Sequence, residues 1–333
     1  MKNILIVFFG TYLLSCSPKS DQMVEVKQDP LPSWNEGANK SAILNFVKNS
    51  TDTASATFVP VEDRIAVFDN DGTLWSEHPM YFQLAFALDQ IKKLAPQHPE
   101  WTDTEPFKSV LSGDMASVIK QGEGAIIKIV LATHGDVTAD DFEARVKEWM
   151  TTARHPRFDR PYTDLIFQPM LEVLEYLRAN DFKTFIVSGG GIGFMRPVTN
   201  QLYGIPAEQV MGSMMKVEYD KENKVINRYP ELSFIDDKAG KPVGIYNFIG
   251  KKPIAAFGNS DGDLQMLEWT STNSNSLMMY VHHTDEEREW AYDSLSHFGK
   301  LKEGLAVANE SGWNVVDMKN DWKVVYPFEL KKN

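Results

Sequence analysis

The chain has 333 residues, 43% of them hydrophobic, and a formal net charge of −12. That length and composition can bury one large core, or a core with a smaller satellite. The acidic balance, with no sustained Lys/Arg run, excludes a nucleic-acid-binding surface, and an anionic ligand would need a cationic pocket of its own.

The first predicted element is a leader. Residues 1–16, MKNILIVFFGTYLLSC, place Lys2 ahead of an eleven-residue apolar stretch from Ile4 to Leu14, followed by Ser15 and Cys16. The stretch is too short to cross a hydrocarbon layer of roughly 30 Å, but it suits a secretory signal. LLSC resembles the bacterial lipobox, whose cysteine becomes the lipidated first residue of the mature protein. Cys16 is the only cysteine, so it has no disulfide partner in the chain. These features predict a lipid-anchored protein of the bacterial cell envelope, periplasmic or surface-exposed, with the membrane as its partner through Cys16. Residues 17–38 are polar, contain proline and lack a period, as a tether would.

From Asn39 the pattern turns helical, with Ala42, Ile43, Phe46 and Val47 on one face. Four short apolar runs follow: RIAVFDNDG (64–72), FKTFIVSGGG (182–191), KPIAAFGNSDGD (252–263) and SLMMYVHH (276–283). Runs of this kind suit strands buried on both faces of a parallel sheet. PMLEVLEYLRAN carries Pro169 in its first turn and one apolar face, and the helix after SGGG stops near Gly204 ahead of Pro206. The alternation predicts an α/β fold with a doubly wound parallel sheet. Residues 78–165 hold four segments of helical period and no clear strand, which predicts a helical cap inserted after the first core strand. The domain reading is therefore a core of 39–77 and 166–333 with a cap of 78–165. MMKVEYDKENKVINRY predicts a β-hairpin near 215–228.

In doubly wound sheets, ligands lie beyond the carboxyl ends of the strands. Asp69, Asp71, Ser188, Asn259, Asp261 and Asp263 all stand at such ends and are expected to converge. Two carboxylates at one strand end repel, and each raises the pKa of the other, unless a cation or a substrate needs both. Mg²⁺ with oxygen ligands would remove the conflict. Gly72 permits a sharp turn, and the Thr73 hydroxyl can fix that turn or a carboxylate.

These four strand ends resemble the haloacid dehalogenase-like hydrolases, and within them the phosphoserine-phosphatase-like phosphatases with a helical cap. The first motif, Asp-x-Asp-x-Thr, is matched by Asp69, Asp71 and Thr73, and the second, a strand ending in Ser or Thr, by Ser188. The third, a lysine opening a helix, is matched best by Lys241, with Lys238 as the competing choice. GNSDGDLQML matches the fourth. LPSWNEGANKSAILNF and VHHTDEEREWAYD also look like one bacterial lipoprotein subgroup, so the resemblance covers nearly all of the mature chain.

The resemblance implies a Mg²⁺-dependent phosphomonoesterase acting on a small phosphorylated metabolite. Asp69 would be the nucleophile, Asp71 the general acid and base, and Lys241 the counter-charge. Ser188 would hold the phosphoryl oxygens, together with Gly72, Thr73, Gly189 and Gly190. The metal would be held by Asp69, Asp71 and a group of the fourth motif, Asn259, Asp261 or Asp263. Asn259 departs from the family pattern, which usually has aspartate there. True dehalogenases commonly use asparagine and no metal, but they generally lack the second aspartate of the first motif, so Asp71 favours the phosphatase. A catalytically silent binding lipoprotein is the non-enzyme alternative. No segment points to a specific protein partner.

Three weaker features remain. Trp75 is a candidate for stacking on substrate or for packing between cap and core. Arg157, in ARHPRFDRPY, is a candidate for binding a substrate anion or for a solvated linker. His282 and His283 end a strand on the side of the site.

Overall fold

The protein, in a computed structural model, is described over residues 29–332. The leader, Cys16 and tether residues 17–28 lie outside the described residues. In chain order the elements begin with α1 (Ala38–Thr51), β1 (Ile65–Phe68), α2 (Phe82–Leu94), α3 (Phe107–Ser112), α4 (Met115–Lys120), α5 (Glu123–His134), β2 (Val137–Thr138) and α6 (Ala139–Thr152). They continue with α7 (Gln168–Ala179), β3 (Lys183–Gly191), α8 (Ile192–Tyr203), β4 (Val210–Asp220), β5 (Val225–Phe234), α9 (Gly240–Phe248) and β6 (Ala255–Gly258). The last are α10 (Leu264–Ser271), β7 (Leu277–His282), α11 (Glu303–Ser311), β8 (Asn314–Asp317) and α12 (Met318–Asp321).

The sheet runs β2-β5-β4-β3-β1-β6-β7-β8. From β4 to β8 all pairs are parallel, while β5 and β2 extend the sheet antiparallel. The short apolar runs pair because each face of the sheet has a helical layer to cover it. Along β1, Ala66 and Phe68 pack with α1, α7 and α8 on one side. Ile65 and Val67 pack on the other side with Ile245 of α9, Met266 and Leu267 of α10 and Ala308 of α11. The α/β doubly wound prediction therefore holds. β1 is flanked by β3 and β6, so the strand order reverses there and leaves a crevice beyond the carboxyl ends. Phe68 is in register with both Ile186 and Phe257. That register sets Asp69 level with the ends of β3 and β6.

Helices α2–α6 stand as an insertion between β1 and β3, over this crevice, and have their own core around Leu84, Ile91, Trp101 and Ile129. The segment is not wholly helical, since Val137 and Thr138 pair with Arg228 and Asn227 of β5. A two-residue strand is too short to show a period. The helical pattern of 105–121 also divides in two, because Gly113 takes the left-handed conformation after α3. The hairpin is longer than expected: β4 pairs first with β3 in parallel and only then with β5.

The tether reading needs correction at its end. Leu31 and Trp34 are fully buried core residues. Trp34 Nε1 donates to the Pro169 carbonyl, and its ring meets Trp322 edge-on at 5.9 Å. Residues 29–38 are thus part of the folded unit, drawn in by two large apolar side chains in an otherwise polar stretch. Among the described residues no helix is long and apolar enough to cross a membrane.

Candidate active site

The apolar strand β1 ends at Phe68, which stacks on Phe257 of β6 with ring centroids 4.4 Å apart. The next residue, Asp69, donates its backbone N–H to the Phe257 carbonyl. The turn after it is closed by the Asn70 carbonyl, which accepts from Thr73, Leu74 and Trp75. Gly72 has φ +74, and a side chain there would run into Asn259 and Glu77. Glycine is therefore required twice over, by backbone conformation and by space.

Lys241, in the first turn of α9, is almost fully buried. Its Nζ donates to Asp69 Oδ1 at 2.6 Å, Asp263 Oδ1 at 2.5 Å and the Val187 carbonyl at 2.9 Å. Lys238 is exposed with φ 51 and holds no such position. Burial pushes the Asp69 carboxyl well above the usual carboxylate range, Asp263 adds to the effect, and Lys241 opposes it. Asp71 is pushed up to about 6, again chiefly by burial, while a hydrogen bond from Trp75 Nε1 to its Oδ1 at 2.8 Å acts the other way.

Ser188 ends the regular part of β3, and its Oγ accepts from the Gly190 N–H at 3.1 Å. A Cβ on Gly190 would lie 3.3 Å from both Asp71 Oδ2 and Ser188 Oγ, so the glycine loop passes closely over the two side chains. Asp69, Asp71, Ser188, Gly189, Gly190 and Lys241 all face one cavity of about 740 Å³ between the strand ends and the inserted helices.

Other expected site residues have different work. Both oxygens of Asp263 are committed: Oδ1 to Lys241, and Oδ2 to the N–H groups of Asn259 and Ser260 and to the Ser260 hydroxyl. It is fully buried and is not a free metal ligand. Asp261 Oδ1 accepts from the N–H groups of Lys302 and Gly304 and so anchors the start of α11. Asn259 is held by Thr73 Oγ1 on its Oδ1 and donates Nδ2 to Glu77 Oε1 at 2.6 Å. Thr73 is fully buried and fixes that amide, away from the cavity wall.

Trp75 cannot stack on a substrate, because it is fully buried against Phe82, Phe194 and Tyr203. Arg157 does not reach the cavity either. Its guanidinium donates to the carbonyls of Glu286, Glu287 and Glu289 and lies over Trp290, clasping the loop after β7. His283 is buried and holds the nucleophile turn, with Nε2 on the Gly72 carbonyl at 2.7 Å and Nδ1 on Glu289.

Glu77 was not anticipated. It is buried at the cavity floor, accepts from Asn259 Nδ2 and from the Tyr292 hydroxyl at 2.7 Å, and is pushed well above the usual range by burial and by the charges of Asp71 and Asp69. Its only signal in the sequence was an acid among residues that turn inward, Leu74 and Trp75.

Besides the pairing of β2 with β5, a polar chain latches the insertion to the core. The Gly191 N–H donates to Gln83 Oε1 at 2.7 Å, which fixes the amide so that Nε2 donates to His134 Nε2 at 3.1 Å. His134 then donates Nδ1–H to Thr133 Oγ1, which donates to the Ile129 carbonyl. This tautomer is neutral. Burial, reinforced by Arg228, pushes His134 down to about 3 from an ordinary 6.5. Between those values the unfolded chain binds a proton that the fold refuses, so this contribution to stability falls as pH falls, by about 1.4 kcal/mol per unit. Above 6.5 it is flat. In denaturant titrations, the stability of the protein relative to His134→Gln should therefore shrink at that rate from about pH 6 to about pH 4. The raised carboxyls of the floor are common to both proteins and cancel. A difference constant with pH would refute the latch's neutral form.

A family model for haloacid dehalogenase-like hydrolases matches residues 66–268. The chain belongs to this family of hydrolases, and the matched span holds every residue of the cavity floor named above. Among solved structures, it is similar to a protein of unknown function from Bordetella pertussis Tohama I, at 15% identity and TM-score 0.48, over 77% of this chain and 98% of that one. It is also similar to a phosphoserine phosphohydrolase-like protein from Francisella tularensis, at 16% identity and TM-score 0.38, over 66% and 87%. A third is a probable phosphoserine phosphatase from Vibrio cholerae, at 14% and 0.38, over 74% and 66%. No curated protein matches the chain.

Proposed function

We propose that the protein is a Mg²⁺-dependent phosphomonoesterase, anchored to the bacterial envelope through Cys16, that works through an aspartyl-phosphate on Asp69. The observation that carries this reading is the second carboxyl, Asp71. It is aimed by Trp75 at the same cavity as Asp69, and burial holds its pKa where it can both give and take a proton near neutral pH.

In the first step Asp69 Oδ2 attacks phosphorus, the bond from phosphorus to the ester oxygen breaks, and Asp71 protonates the departing alcohol. In the second, Asp71 takes a proton from water, the water oxygen bonds to phosphorus, and the acyl-phosphate bond breaks to restore Asp69. Lys241 fixes Asp69 through Oδ1 and leaves Oδ2 for the attack. Ser188 Oγ and the Gly189 N–H are the donors of this wall for phosphoryl oxygens, with the Gly190 N–H holding Ser188 Oγ in place.

Among the described residues no three Asp, Glu, His or Cys side chains form a metal cluster by themselves. The donor chemistry nevertheless fits Mg²⁺: the floor offers oxygen donors, its buried lysine, Lys241, is already shared by Asp69 and Asp263, and Mg²⁺ usually takes one or two carboxylates and keeps several waters. Asp69 and Asp71 would hold it, with Asn259 reaching it directly or through water. Bound there, it would neutralise charge on the phosphoryl oxygens. A dehalogenase gives no role to Asp71, because a departing halide needs no proton.

The test is phosphate release from a panel of monoesters with Mg²⁺ and with chelator, using Asp69→Asn as control. Metal-dependent release by the protein and not by the variant is expected. Release of halide from haloacids without metal, or equal phosphate release by the variant, would overturn the reading.

A further inference from the structure

Helix α5 is apolar on two sides. Ile129 is buried in the insertion's own core, and Ile126 and Val130 pack against it. On another side, Ile127 and Leu131, one turn apart, are only half-buried, join no hydrophobic cluster among the described residues, and line the catalytic cavity. A helix apolar all round is normally covered all round. Here the second side faces an opening.

The facing walls repeat the pattern. Leu232 of β5 and Ile235 just beyond it line the cavity, as does Ile119 of α4, and these three also join no core cluster. Ile235 is 56% exposed and Ile119 36% exposed. Five large aliphatic side chains from three elements and a turn thus converge above Asp69 and Asp71.

Two of the cavity's cations are already engaged. Lys241 is spent on Asp69 and Asp263. Arg228 donates Nε to the His134 carbonyl and lies 4.1 Å from the centre of the Phe142 ring. Lys238 and Lys300 are exposed at the cavity's edge. A substrate as small and polar as phosphoserine would leave these five aliphatic side chains uncovered. The volume of about 740 Å³ is also that of a site for a ligand much larger than phosphate.

We propose that the preferred substrates are phosphate monoesters of aliphatic alcohols, the phosphate on the polar floor and the chain against Ile127, Leu131, Leu232 and Ile235. This rests on the phosphomonoesterase reading above. Each methylene moved from water onto the wall adds about fourfold in kcat/KM until the cavity is filled.

The experiment uses the full chain with Mg²⁺ and compares ethyl, butyl, hexyl and octyl phosphate with phosphoserine. Octyl phosphate should exceed ethyl phosphate by at least about a hundredfold, with phosphoserine no better than ethyl. In Ile127→Asn and Leu131→Asn the octyl-to-ethyl ratio should fall at least about tenfold. Calorimetric binding of the matching alkylphosphonates, which cannot be hydrolysed, gives the same ratio as dissociation constants and does not depend on turnover or on the variants folding. A flat series in both assays, or a preference for phosphoserine, overturns the proposal. If no ester is hydrolysed but phosphonate affinity still rises with chain length, the phosphomonoesterase reading fails and the apolar site stands.

Discussion

Lys241→Met should cost about 3–5 kcal/mol of stability at neutral pH, whereas Asp69→Asn should cost about 1 kcal/mol or less, although both abolish turnover. Lys241 is the single cation between two buried carboxylates, at 2.6 Å from Asp69 and 2.5 Å from Asp263. Removing it strands both charges, Asp263 fully buried and Asp69 buried but for the side that faces the cavity. Removing Asp69's charge instead leaves Lys241 paired with Asp263 and the Val187 carbonyl, and the asparagine oxygen can still accept from Nζ. Loss of the nucleophile lowers phosphate release by about 10⁴-fold or more.

The two variants can be told apart by pH. Asp69 is raised by burial even with Lys241 in place, so in Lys241→Met it takes up a proton more readily still. A group whose folded pKa is raised stabilises the fold as pH falls, so Lys241→Met should regain stability on acidification relative to the wild type. Urea unfolding at neutral pH and about one and a half units lower checks this. Equal stability of the two variants at neutral pH would mean that Lys241 is not the counter-charge that the burial implies.

The strand ends were legible because β1, β3, β6 and β7 are apolar on both faces, and such runs stop where the chain meets polar solvent or ligand. Once Phe68 pairs with both Ile186 and Phe257, Asp69 must stand level with Val187, one residue short of Ser188, and with Gly258. The distribution of labour behind them was not legible. Asp263 reads as a ligand in sequence, but it serves as the capping acid of its own turn and as a partner of Lys241. Glu77 is held at the site by Asn259 and Tyr292, which lie 182 and 215 residues further along the chain. Arg157 looks like an anion binder until the loop carbonyls it holds are seen. In AIIKIVL the helical period was plain, but no pattern in the segment says that one of its apolar sides would be left to a cavity.

Asp71→Asn should separate the two halves of the reaction. Its amide oxygen can still accept from Trp75 Nε1, so the turn keeps its geometry, but it can neither give nor take a proton. For an alkyl phosphate, whose alcohol leaves only with a proton, the first step should slow by about 10²- to 10⁴-fold, and no intermediate should accumulate. For p-nitrophenyl phosphate the leaving group departs as a stable anion, so the first step should proceed at nearly the wild-type rate. The second step still lacks its base, so a burst of nitrophenolate approaching one per protein should precede a slow phase. Rapid-mixing absorbance resolves the burst, and acid-quenched protein carries the phosphate if Asp69 holds it. An equal loss of rate on both esters, with no burst, would show that Asp71 does something other than move protons. Its placement by Trp75 against the Ser188–Gly190 loop would then need another explanation.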